Sequence, residues 1–140
     1  MTAPKHCLVV EDSELIREIA IRMVDDLGVE ADGVDSAEAG VDHCREHQTD
    51  IVMLDWDLPS MAALDFLRGV SELEEKQRPE IILCATENDP QQFTLAKAAG
   101  ARHHILKPFD KDLVAAKFAE IGVIDSQAPT AQKVANSDKR

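Results

Sequence analysis

The sequence predicts an α/β fold built on a parallel sheet, and three observations carry that expectation. Apolar runs alternate with helix-periodic segments along the chain, the pattern of repeated β-α units. The run Ile51 to Leu54 is apolar throughout, as a central strand covered on both faces requires. Four runs each end in a polar residue of different chemistry: the acidic pair Glu11-Asp12, the carboxylate Asp55, the hydroxyl Thr86 and the ammonium Lys107. As neighbours in one sheet, those ends converge at its carboxyl edge, where open α/β folds place their ligands. A length of 140 residues and a hydrophobic fraction of 44% suit one domain with one core.

The elements follow in order. The first strand is Cys7 to Val10. Ser13 can cap a helix running to about Leu27, with Leu15, Ile16, Ile19, Ala20, Met23 and Leu27 on one face and Gly28 as its stop. Val29 to Val34 is a weaker strand, and Ser36 opens a helix to about His47 whose buried face is thin, with Glu38 acidic in its first turn. After the strand Ile51 to Leu54, the spacing of Leu64, Leu67, Val70 and Leu73 marks the third helix. Pro79 precedes a fourth strand, Ile81 to Ala85. Asp89-Pro90 starts a helix ended by Gly100, with proline at a first-turn position where its missing donor costs little. The stretch Leu95 to Ala99 reads mainly as core. His104 to Leu106 is the fifth strand. Asp110 caps the last helix, with Leu113, Phe118 and Ile121 inward and Gly122 closing it. From Ser126 apolar periodicity disappears, so the domain is expected over 1–124 and a flexible tail over 125–140.

A formal charge of −12 argues against direct binding to a nucleic-acid backbone, which needs clustered Lys and Arg, and favours protein partners with basic faces. Cys7, Cys44 and Cys84 form no CxxC pair, and two of them lie inside apolar runs, where thiols behave as small hydrophobes of a reduced compartment. The amino terminus lacks the apolar segment of a signal peptide and no stretch approaches membrane-spanning length, so a soluble, cytoplasmic protein without membrane insertion is expected.

Over roughly Lys5 to Ile124 the chain resembles a response-regulator receiver domain of two-component signalling. The residues that carry the likeness are VVED ending in Glu11-Asp12, MLDWDLPSM around Asp55, CAT ending in Thr86, and LKPF containing Lys107-Pro108. Each motif alone is weak; their order at the ends of strands one, three, four and five is specific. The resemblance implies a five-stranded, doubly wound, flavodoxin-like sheet in order 2-1-3-4-5 with five helices. It also implies phosphoryl transfer onto Asp55 from a sensor histidine kinase or histidine phosphotransferase, and a downstream protein target. It further implies a magnesium ion on Glu11, Asp12, Asp55 and the backbone carbonyl of Asp57, a cis bond between Lys107 and Pro108, and a Thr86 that swings inward on phosphorylation. The face of helix four, strand five and helix five is where such domains commonly bind partners, which points to Gln91, Lys97, His104 and Lys111.

The chemistry asks for these residue types by itself. A carboxylate attacking a phosphohistidine develops negative charge on the transferred phosphoryl oxygens, which a divalent cation and an ammonium can stabilise. Magnesium takes hard oxygen ligands and retains waters, fitting a site with few carboxylates. Lys107 is a flexible point charge able to pair with Asp55. Taken singly, each residue has a plainer reading: Asp55 a solvated turn aspartate, Glu11 and Asp12 helix-start acids, Thr86 a strand-end hydroxyl, Lys107 a surface lysine.

Several positions depart from the receiver pattern. The position three before Lys107, commonly aromatic and coupled to the threonine, is His104, whose ring can still pack inward. After Pro59 the common Met-Asp-Gly becomes Met61-Ala62-Ala63, which removes a glycine and favours an earlier start for helix three. Trp56 and Glu87, directly after Asp55 and Thr86, either restrict access of water and donors or simply face solvent. His43 and His47 lie one helical turn apart, a spacing that can present two metal ligands, but the sequence shows no third. The leading reading is a single-domain phosphoacceptor, not an enzyme, without an output module, that docks to a protein or relays phosphate. The alternatives are a phosphorylation-independent adaptor and a phosphatase of the haloacid-dehalogenase type, whose DxD resembles Asp55-Trp56-Asp57. That motif normally follows the first strand of a larger domain, whereas here it follows the third.

Overall fold

In a computed structural model, residues 5–59, 62–86 and 90–124 are described. Five strands, β1 (His6–Val10), β2 (Glu30–Val34), β3 (Ile51–Asp55), β4 (Glu80–Ala85) and β5 (His103–Leu106), alternate with five helices. These are α1 (Glu14–Asp26), α2 (Ala37–Glu46), α3 (Ala62–Ser71), α4 (Pro90–Ala98) and α5 (Lys111–Ile121), and a short 3-10 turn, Glu75–Gln77, precedes β4. The sheet is parallel in the order β2-β1-β3-β4-β5, as expected. The expected tail, 125–140, lies outside the described residues, as do Met61, Glu87 and Asp89.

Strand alternation divides the core into two layers. Leu8, Val10, Val52, Leu54, Ile81 and Leu83 face α2, α3 and α4, where Phe66, Leu67, Val70 and Ala96 meet them. Cys7, Val9, Ile51, Met53, Ile82 and Cys84 face α1 and α5, meeting Ala20, Val24, Val114 and Phe118. The thin face of α2 consists of Ala37, Gly40 and Cys44; Phe66 packs so closely that a Cβ on Gly40 would lie 2.8 Å from its ring. Ser13, Ser36 and Asp110 cap α1, α2 and α5 through their side-chain oxygens. Gly28, Gly100 and Gly122, the expected helix stops, all have φ between 85° and 115°. Helix α3 already includes Ala62 and Ala63.

Three expected inward faces turn out differently. Helix α1 is rotated so that Ala20 and Val24 meet the sheet, leaving Leu15 68%, Ile16 40% and Ile19 44% exposed. On α5 it is Val114 and Phe118 that are buried, while Leu113 is 43% exposed. On α4 only Ala96 is buried and Leu95 is exposed, because α4 covers the rim of the sheet beside the edge strand β5.

Candidate functional site

The carboxyl edge of the sheet brings the four strand ends together. The ladder continues past the strands: Glu11 N–H donates to Val34 O (3.1 Å), Trp56 N–H to Cys84 O (2.9 Å) and Lys107 N–H to Ala85 O (2.8 Å). Those bonds set Glu11, the residues after Asp55, and Lys107 at one level. Asp55 is 4% exposed, and its Oδ1 accepts from Lys107 Nζ at 2.7 Å and from the Asp57 backbone N–H at 2.9 Å. Glu11 is equally buried; its carboxylate accepts from Ser13 N–H at 3.1 Å and lies 3.5 Å from Lys107 Nζ. Asp12 is exposed at the mouth. Thr86 is also exposed, and its hydroxyl donates to Asp57 Oδ2 at 3.2 Å, with Lys107 Nζ 3.8 Å from the same carboxylate oxygen. The Lys107–Pro108 peptide bond is cis.

The electrostatics are those of crowded acids around one ammonium. Burial pushes the Glu11 carboxyl above its ordinary range; the Ser13 N–H opposes this and the charge of Asp55 adds to it. For Lys107, burial works against the charge, but the hydrogen bond and charge of Asp55, with Glu11 and Asp57, outweigh it and hold the pKa above the usual lysine value. Oxygens of Glu11, Asp12 and Asp55 all lie within 4.8 Å of one another, the one such group of His, Cys or acidic donors among the described residues. Hard oxygen donors, two buried and one at the mouth, fit an ion such as magnesium that keeps part of its water shell.

The other singled-out residues fall elsewhere. His104 does not pack inward: it is exposed on the α4 side of the edge strand, stacked on Phe93 with ring centroids 4.2 Å apart. Alternation along β5 buries Ile105 and turns its neighbours the other way. Lys97 and His104 border a hollow of about 230 Å³ between α4 and β5, with Gln91 exposed at the start of α4. Lys111 stands apart from them, its ammonium 3.7 Å from Asp26 of α1. Trp56 is half-buried and its indole N–H donates to Gln92 of α4. His43 and His47 lie side by side, ring centroids 4.7 Å apart, with Asp32 of β2 3.7 Å from His43.

Two features were missed in the sequence. The outward residues Ile16 and Ile19 and the half-buried Met23 of α1, with Lys107, Pro108 and Phe109, line an apolar hollow of about 420 Å³ beside the site. An apolar stripe wider than a core-facing helix needs was its only sequence signal. Arg17 donates from its guanidinium to the main-chain carbonyl of Glu11 at 2.8 Å, a contact across six residues with no motif to announce it.

A parallel sheet in this order, with acids, hydroxyl and ammonium gathered at its carboxyl edge, is the arrangement the sequence led us to expect of a receiver domain. The chain matches the response regulator receiver domain over residues 7–119 and belongs to that family. It is 31% identical to chemotaxis protein CheY1 of Helicobacter pylori, covering 79% of this chain and 91% of that protein. It is 26% identical to chemotaxis protein CheY-3 of Vibrio cholerae, covering 81% and 88%. It also matches the CAI-1 autoinducer sensor kinase/phosphatase CqsS of Vibrio cholerae at 28% identity, but there 82% of this chain spans only 17% of the relative. Among solved structures it superimposes on the chemotaxis response regulator CheY4 of Vibrio cholerae with a TM-score of 0.78 at 22% identity, over 85% of this chain and 99% of that one. The receiver domain of sensor histidine kinase PA1611 from Pseudomonas aeruginosa, solved with magnesium in its active-site cleft, has a TM-score of 0.75 at 20% identity, over 84% and 97%. Among the described residues no helix is long and apolar enough to cross a membrane.

Proposed function

We propose that this chain accepts a phosphoryl group on Asp55 from a phosphohistidine of a sensor histidine kinase or histidine phosphotransferase, and passes the signal to a downstream protein. The observation that carries this reading is the buried Asp55 carboxylate, tied to Lys107 at 2.7 Å with Glu11 and Asp12 oxygens alongside. In the transfer an Asp55 oxygen forms the new O–P bond as the N–P bond breaks, and the leaving imidazole keeps the electron pair and takes its proton from solvent water. Glu11, Asp12, Asp55 and the backbone carbonyl of Asp57 would hold magnesium, in keeping with the magnesium in the PA1611 receiver cleft. Bound there, the ion supplies positive charge against the phosphoryl oxygens. Lys107 supplies a second cation from the protein, and the hydrogen bond from Asp57 N–H orients the nucleophile.

Thr86 is the switch: its hydroxyl, now on Asp57, transfers its hydrogen bond to a phosphoryl oxygen. The α4-β5 face carrying Gln91, Lys97 and His104 then presents the changed surface to the target. A protein donor must bring its histidine to Asp55, so it must cover part of the surrounding rim. The exposed Leu15, Ile16 and Ile19 of α1 offer the apolar part of that contact.

Intact-mass measurement after incubation with acetyl phosphate and magnesium tests the acceptor. A single base-labile phosphoryl adduct on the wild type and none on Asp55→Asn is the expected result. An adduct that persists in Asp55→Asn places the chemistry on another residue. No adduct from either acetyl phosphate or a phosphorylated histidine phosphotransferase leaves the phosphorylation-independent adaptor.

A further inference from the structure

We propose that Arg17 is a positioning residue for the acidic pair Glu11-Asp12, and that Gly33 of the edge strand β2 is the gap through which its side chain reaches them. The inference rests on the reading of Glu11, Asp12 and Asp55 as the magnesium site.

Glu11 is held at three points. Its N–H donates to Val34 O at 3.1 Å, its carboxylate accepts from Ser13 N–H at 3.1 Å, and its carbonyl accepts from Arg17 Nη1 at 2.8 Å. The carbonyl belongs to the peptide plane that leads into Asp12, so fixing it fixes the direction in which Asp12 leaves the chain. Asp12 itself is exposed, and no hydrogen bond of its carboxylate is seen among the described residues, so the peptide plane is its main restraint. Arg17 is in turn placed by α1: its N–H donates to Ser13 O at 2.9 Å, one turn below, where Ser13 caps the helix.

To reach Glu11 the half-buried arginine stem runs over β2. A Cβ on Gly33 would lie 2.8 Å from Arg17 Cδ, 2.9 Å from Arg17 Cγ and 2.8 Å from the flexible tip of Ile21, Cδ1, closer than Cβ atoms come in real contacts. Gly33 lies within β2 and has no positive φ, so glycine is required there for room rather than for conformation. These atoms are mid-stem, and moving them withdraws the guanidinium from the carbonyl.

The charge and the position of Arg17 act in opposite directions on metal binding, which makes the proposal decidable. Removing a cation near acidic ligands by itself strengthens their attraction for magnesium. Removing an outer partner that orients ligands weakens it. Arg17→Met keeps the stem and the helix propensity and deletes the donor; Gly33→Ala leaves every acid and the arginine in the sequence. Magnesium titration followed by NMR should show each single variant binding roughly tenfold more weakly than wild type, the lower end of the effect of outer partners on metal affinity. The double variant should bind no more weakly than Arg17→Met, since the effect of Gly33→Ala on the metal runs through the Arg17 contact and the Ile21 tip it also meets is remote from the acids.

Unchanged or tighter binding in Arg17→Met, or additive losses in the double variant, overturns the proposal. The same samples without metal report the Glu11 carbonyl-carbon chemical shift, which should move alike in both single variants; no movement also overturns it. Should wild type bind no magnesium, the reading of the acidic trio falls, and the carbonyl shift alone decides the role of Arg17.

Discussion

Lys107 and Asp55 stand 52 residues apart in sequence yet their side chains meet at 2.7 Å, Nζ to Oδ1. Strand β4 lies between their strands, so the lysine reaches across it at the carboxyl edge. Because Lys107 has its pKa raised above the usual 10.5, its share of stability is complete below that value and is lost as pH rises through the folded value. The melting temperature of wild type should therefore step down in the alkaline range, and Lys107→Met should lack that step. Calorimetry across the alkaline range checks it; parallel curves for the two proteins would refute it.

Glu11→Gln tests the opposite case. Its carboxyl is raised above the usual 4.5, so its favourable share is present below 4.5 and lost as pH rises through the raised value. At neutral pH and without metal the variant should melt higher than wild type, and the difference should vanish in acid. At magnesium tenfold above its Kd, wild type should gain about 1.4 kcal/mol. The variant should gain clearly less, as thermal melts with and without magnesium will show.

A charge on α1 should separate the two kinds of phosphodonor. Ile19 is 44% exposed beside the site. Ile19→Glu should leave uptake from acetyl phosphate unchanged while slowing transfer from a histidine-bearing protein by about tenfold, some 1.4 kcal/mol of lost contact. Equal slowing with both donors would place the defect in the site rather than in docking.

Helix α5 offers a contrast in stability. Phe118 is fully buried and Leu113 is 43% exposed. Phe118→Ala should cost about 3–5 kcal/mol and Leu113→Ala less than about 1 kcal/mol. Denaturant unfolding of both variants is the measurement.

The three thiols should be inert in the native state. Burial pushes Cys44 up to about 11 and Cys7 and Cys84 higher still, so little thiolate is present near neutrality. A colorimetric thiol reagent should react with all three only after unfolding; reaction of the folded protein would refute their burial.

The strands and helix caps were legible because their signals are local. An apolar run, a serine three residues before a free N–H and a glycine where φ turns positive are read within a few positions. The four strand-end residues were legible as a set because a parallel sheet necessarily aligns its carboxyl ends. Helix rotation was not legible: the stripe Leu15, Ile16, Ile19 satisfies the same period as Ala20 and Val24, and only the sheet beneath determines which one is covered. His104 likewise could pack either way until β5 was seen as an edge strand.

By itself, then, the sequence determined the α/β class, the order of elements and the identity of the acids, hydroxyl and ammonium, since these depend on patterns shorter than one turn or one strand. Only the tertiary structure decided that Arg17 reaches the Glu11 carbonyl over Gly33, that Thr86 rests on Asp57, and that α1 turns apolar residues outward. Those are distances between side chains whose separation is set by packing, and no local pattern in the chain encodes them.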